Sequence, residues 1–248
     1  MPDDPCDPYN EETATLDSKI GMMGRLTEKL VAEACHGLTG DSPTRASAIV
    51  AGDSRIHELH REIEEQIIAM MVRCEPAAHD SRQAISVLKI AAELDRICDL
   101  SENITKRALT ISGENYPKEL LTSLRLMGKL ASEQLHDVLD AYAARDADRA
   151  MAVWRNDHRL DEVYNSVFRQ LLTYMMENPR NIGLCAQLLF VAKNLERIGD
   201  HTTNIAEPVN DMTRGAPPEG ERPKSDLTSS ALPKFPSKHG IRDQLDVD

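Results

Sequence analysis

Apolar residues recur every three or four positions through most of this chain, and the breaks in that rhythm divide it into six predicted helices. The first runs from Leu16 to Gly37, ending on the residue type that most often follows a last helical turn. Asp41-Ser-Pro-Thr44 supplies a turn and an N-cap, and a second helix follows to Val72. Its apolar stripe is Ile49, Ile56, Leu59, Ile63, Ile67 and Met70. Glu75-Pro76 stops it, and a third helix spans 79–111. After a linker at 113–117, further helices cover 118–144, 148–177 and 179–209. Residues 1–15 and 212–248 have no such period; rich in Pro, Gly, Ser and charge, they bury too little apolar surface to offset their ordering entropy, and the expectation is disorder.

The two halves are an internal repeat. A shift of 104 residues aligns the first two helices on the fourth and fifth without a gap, placing Met23-Gly24 on Met127-Gly128, Asp53 on Asp157 and Gln66 on Gln170. Past the Pro-containing turns the shift becomes 101, and Leu94-Asp95-Arg96-Ile97-Cys98-Asp99 falls on Leu195-Glu196-Arg197-Ile198-Gly199-Asp200. A length change of three residues is what an inter-helix loop tolerates. The fold predicted is all-α: two tandem three-helix bundles, 16–112 and 118–211.

Composition agrees, with only 4% aromatic residues, whereas sheets lean on aromatic and β-branched side chains. A net charge of -12 argues against a nucleic-acid partner, which demands clustered Lys and Arg. The five cysteines, Cys6, Cys35, Cys74, Cys98 and Cys185, form no CxxC pair, so neither a disulfide framework nor a structural zinc site is expected. The acidic, Pro-rich start lacks the features of a signal peptide, and no apolar run approaches the roughly 20 residues of a membrane span. The expectation is a soluble protein of the reducing cytoplasm.

The candidate chemistry lies in carboxylates. Asp95 and Asp99, and at the equivalent place Glu196 and Asp200, stand four apart on the third helix of each unit, on one face and one turn apart, where they can share a hard cation. The second helices add candidates: Asp53 and Asp157 fall on the apolar stripe itself, followed one turn later by His57 and Asp161. A mid-helix Asp forfeits about 0.5 kcal/mol against Ala, and like charges one turn apart add a few tenths. A bound cation removes that repulsion. One such pair is ordinary on a solvated helix; recurrence in both repeats is what points to metal. Arg96 and Arg197 read equally as salt-bridge partners, Asn103 and Asn204 as ligands or orienters, and Cys98 as packing.

The two six-residue segments, together with Asp157-His-Arg-Leu-Asp161 and Leu172-Thr-Tyr-Met-Met-Glu177, resemble the E(D)xxxD motifs of the PhoU family, and the resemblance runs from Leu16 to Val209. It implies surface metal clusters holding Fe, Mn, Zn or Mg, a homodimer or higher assembly, and a role in phosphate homeostasis. It also implies two partners, the ATPase subunit of an ABC-type phosphate transporter and a phosphate-sensing histidine kinase that is restrained when phosphate is plentiful. Three features depart from the family pattern: His57 where an acid or amide is expected, Cys98 where Gly is usual, and a longer C-terminal tail.

The main rival is an enzyme, a carboxylate-bridged di-iron oxidase, which needs ExxH on two helices. Glu33-Ala-Cys-His36 and Glu133-Gln-Leu-His136 have that form, but they lie 100 residues apart where the repeat is 104, on non-equivalent faces. No nucleophile with an adjacent base suggests a phosphatase. A bare coiled-coil scaffold would place apolar residues at Asp53 and Asp157. The chain is therefore expected not to be an enzyme.

Overall fold

The apolar stripes decide which helix faces meet. In the computed structural model, Ile56, Leu59, Ile63 and Met70 of the second helix and Ile90, Leu94, Ile97 and Ile104 of the third are at most 1% exposed. Each such side chain is worth about 1.5–3 kcal/mol of burial. The structure describes residues 7–38, 44–74, 78–113, 118–218 and 220, the side chains of 7–10, 44–53, 74, 78–80 and 118 excepted. Its helices are α1 (Asp7–Gly37), α2 (Thr44–Cys74), α3 (Ala78–Thr110), α4 (Lys118–Ala144), α5 (Ala147–Arg155), α6 (His158–Glu177) and α7 (Ile182–Arg214), with a 3₁₀ turn at Pro179–Asn181.

Helices α1, α2 and α3 pack on one another, as do α4, α5–α6 and α7, and the two units are joined along two seams. Both seams are antiparallel. Along α3–α7, Arg82 pairs with Asp211 at 2.8 Å, Glu93 with His201 at 2.7 Å and Arg107 with Gln187 at 2.8 Å. Along α1–α4, Asp17 pairs with Arg145 at 2.6 Å and Glu28 with His136 at 2.9 Å. The four seam helices form the centre, with α2 flanking one side and α5–α6 the other. The repeat is visible in the α1–α4 seam. Gly24 faces Leu139 and Gly128 faces Cys35, and each member of the second pair is the other repeat's counterpart of one in the first. The units are thus related by a pseudo-two-fold axis.

Three boundaries differ from the sequence reading. Helix α1 begins at Asp7, so residues 7–15 are helical rather than a disordered arm. Gln66 donates to the Glu12 carbonyl at 3.1 Å and Arg73 pairs with the Glu12 carboxylate, tying these turns to α2 through polar groups that an apolar period does not register. The long fifth helix is interrupted at Asn156–Asp157, and α6 starts at His158. Finally, α7 continues through Pro208 to Arg214, so the first residues assigned to the disordered tail are helical. An interior proline costs about 3 kcal/mol, offset here by the burial of Val209 and Met212. The rest of the predicted arm (1–6), most of the linker (114–117) and most of the tail (219 and 221–248) lie outside the described residues.

Candidate metal centres

In the first unit, α2 and α3 bring His57 and His60 against Asp95 and Asp99. His57 Nδ1 lies within hydrogen-bond distance of Asp95 Oδ1, at 2.5 Å. Its Nε2 is 3.8 Å from Asp99 Oδ1, and His60 Nδ1 is 3.4 Å from Asp95 Oδ2. Arg96 turns outward and pairs with Asp99 at 3.6 Å. The side chain of Asp53 lies outside the described residues.

The second unit is drier and carries more acid. Asp157, Asp161 and Glu196 are 2%, 4% and 4% exposed, and Asp200 is half-buried. The break between α5 and α6 sits at Asp157, whose Oδ1 lies 3.1 Å from the Thr203 hydroxyl. Close approach of α7 depends on Gly199: a β-carbon there would stand 2.4 Å from Leu160 Cδ2 and 3.7 Å from Asp157 Oδ1. The Lys193 ammonium is 2.9 Å from Glu196 Oε2, yet this buried oxygen has no aligned hydrogen-bond donor. Burial pushes the Glu196 carboxyl above its ordinary pKa; Lys193 pulls it back, while Asp200 and then Asp161 push it up further.

The α3 pair thus meets an α2 partner, Asp95 and Asp99 at His57, while in the second unit Glu196 of the α7 pair feels the charge of Asp161 on α6. His60, Lys193 and Thr203 were missed. His60 and Lys193 stand three residues from His57 and Glu196, a spacing that signals a shared face; Thr203 had no such signal. Asn204 donates to Glu93 Oε2 at 3.2 Å, Asn103 is exposed, and Cys98 is in the core. The two ExxH strings lie elsewhere, on α1 and α4. Glu33 and Glu133 pair with Lys29 and Lys129 at 3.9 and 3.5 Å, and His136 is exposed.

Against known proteins, residues 20–108 and 124–209 each match the PhoU domain. The chain belongs to the PhoU family. It is 42% identical over 222 residues to the phosphate-specific transport system accessory protein PhoU homolog of Rhizobium meliloti (strain 1021), covering 90% of this chain and 94% of the relative. The Caulobacter vibrioides (strain NA1000 / CB15N) homolog of the same name is 44% identical over 221 residues, 89% and 96% of the two chains. The crystal structure of PhoU from Pseudomonas aeruginosa superposes with a TM-score of 0.80 at 34% identity, over 84% of this chain and 100% of that one.

The metal clusters that resemblance to the PhoU family implies can be weighed against these side chains. Three buried carboxylates in one unit, one of them with the Lys193 ammonium 2.9 Å from its oxygen, offer the oxygen donors and negative charge that a hard cation takes. The first unit mixes imidazole nitrogen with carboxylate oxygen, a set suited to zinc or iron. Among the described residues, no three His, Cys, Asp or Glu side chains converge as a ready-made cage. No described helix is long and apolar enough to cross a membrane.

Proposed function

We propose that this chain is a cytoplasmic regulator of phosphate homeostasis that restrains phosphate uptake and represses phosphate-starvation signalling. It does so by binding the ATPase subunit of a phosphate ABC transporter and a sensor histidine kinase, working as a homodimer and carrying out no chemistry of its own. The observation that carries this reading is the family match across both repeats, with relatives named as phosphate transport accessory proteins aligned over nearly their whole length. Metal ions belong at the paired acids: Asp95 and Asp99 with His57 and Asp53 in one unit, Glu196 and Asp200 with Asp157 and Asp161 in the other. An ion there supplies positive charge to a dry acidic surface and sets its shape.

Deleting the gene tests the proposal. The expected result is that phosphate-starvation promoters stay on in phosphate-rich medium and that intracellular phosphate or polyphosphate rises. The purified chain should be captured by the transporter ATPase or the kinase sensor module and should not hydrolyse phosphoesters above background. Normal repression in the deletion strain would defeat it.

A further inference from the structure

A groove of about 540 Å³ lies away from the acidic centres, on the α1–α4 seam. That volume falls in the range of sites for small organic ligands. Along α1 its wall runs from Asp17 to Glu28, about 16 Å of helix. Its apolar lining includes Ile20, Leu139 and Ala143, together with Gly21.

The opening over Gly21 is not forced by packing. A β-carbon at Gly24 or Gly128 would collide with the facing helix, whereas one at Gly21 would meet only the Arg25 guanidinium, at 3.5 Å. The other repeat carries Arg125 at the position equivalent to Gly21. The missing side chain is therefore a property of this end of the seam, not of the repeat.

The charges around the groove balance, with one exception. Asp17 is held by Arg145 at 2.6 Å and also accepts from Tyr142. Glu28 is held by His136 at 2.9 Å, and Asp140 by Arg149 at 3.0 Å. Each acid in the lining thus has its own basic partner. Arg25 makes no ion pair or hydrogen bond among the described residues, and its guanidinium lies over the bare glycine. A planar cation beside an apolar lining, between two ends whose carboxylates each have a partner, presents a single unpaired positive charge to whatever enters.

From this geometry we infer that the α1–α4 groove binds a small amphipathic anion, an apolar body carrying one acidic group that pairs with Arg25. A neutral apolar molecule would leave the guanidinium unpaired, and a polyanion would meet the carboxylates at both ends. The site goes beyond the phosphate-regulatory reading and uses none of its metal-ligand candidates.

The test uses the full chain with labelled methyl groups, titrated with decanoate and, separately, with neutral decanol. Decanoate should move the Ile20 and Leu139 methyl resonances in a saturable manner, and Arg25→Gln should weaken decanoate about tenfold while leaving decanol unchanged. Gly21→Leu and Ala143→Leu fill the groove from opposite walls, and each should abolish both responses with unchanged far-ultraviolet circular dichroism. The inference is overturned if the Ile20 and Leu139 methyls do not respond to decanoate. It is equally overturned if the filled variants bind as before, or if Arg25→Gln weakens decanoate and decanol alike.

Discussion

Gly128 of α4 lies so close beneath Cys35 of α1 that a β-carbon on residue 128 would stand 2.5 Å from the Cys35 sulfur and 3.2 Å from its Cβ. Burial in the same contact pushes the Cys35 thiol up to about 11, so it stays a neutral packing group at physiological pH. Two opposing effects meet at Gly128. Alanine would gain about 0.8–1 kcal/mol of helix propensity, while forcing extra volume into a packed seam costs about 1–3 kcal/mol. The 2.5 Å approach to the sulfur is closer than β-carbons pack, whereas the 3.2 Å approach to Cβ asks for only a few tenths of an ångström, so the steric cost dominates and rests mainly on the sulfur. Gly128→Ala should lower the thermal midpoint, and adding Cys35→Ala should recover most of the loss; additive destabilisation in the double variant would show that the contact does not limit the seam.

Met212 is 6% exposed at the far end of α7, and its sulfur accepts from Arg145 Nη1 at 3.0 Å. Arg145 itself holds a left-handed backbone at φ 53°, a strained choice for a residue with a side chain. Its guanidinium is fixed by Asp17, by Met212 and over the Tyr142 ring at 4.9 Å. Met212→Ala should therefore cost about 2–5 kcal/mol, as for other buried methionines. Differential scanning calorimetry reading a midpoint within a degree of wild type would show that α7 does not pack past Asp211.

The His136–Glu28 pair sets a pH dependence. Its hydrogen bond to Glu28, then the nearby Asp140 carboxylate, raises the His136 pKa above that of the unfolded chain. The stabilisation is complete below the ordinary histidine value and is lost as pH rises through the raised one. Because the pair is exposed, its worth is a few tenths of a kcal/mol. Midpoints measured from pH 6 to 8 should fall slightly more steeply for wild type than for His136→Gln; a steeper fall in the variant would reverse the sign.

Glu196 gives a fall of the same sign from a different cause, desolvation rather than a charged partner. Its raised pKa means that the folded, metal-free chain loses stability as pH climbs from the ordinary carboxylate value through the raised one, because the charge must form in a desolvated place. In chelator-treated protein, Glu196→Gln should be at least as stable as wild type at pH 7.5. Combined with Asp200→Asn, it should abolish the metal binding proposed for the second unit, read by elemental analysis, while helical content holds. Full metal retention in the double variant removes these residues from the ligand set.

The sequence carried the α3 and α7 faces well, because Leu94 to Asp99 and Leu195 to Asp200 keep an uninterrupted helical period and recur. It did not carry the break at Asn156–Asp157, where Arg155, Asp157 and His158 are all compatible with a continuing helix. Nor did it carry Glu93 against His201, 108 residues apart, which meet only once α3 and α7 are known to run antiparallel. His57 shows the middle case: its place on the helix was legible, but its bond to Asp95 depends on how α2 leans on α3.

The reciprocal seam also speaks to ancestry. A half-length forebear carrying one repeat would have met a copy of itself through the Gly24 and Gly128 contacts, as an isologous pair. Joining two such copies in one chain makes their association intramolecular, at an effective concentration on the order of millimolar. It also released the halves from identity. Cys35 and Leu139, or His57 and Asp161, now differ where a symmetric pair would have had to carry one residue twice.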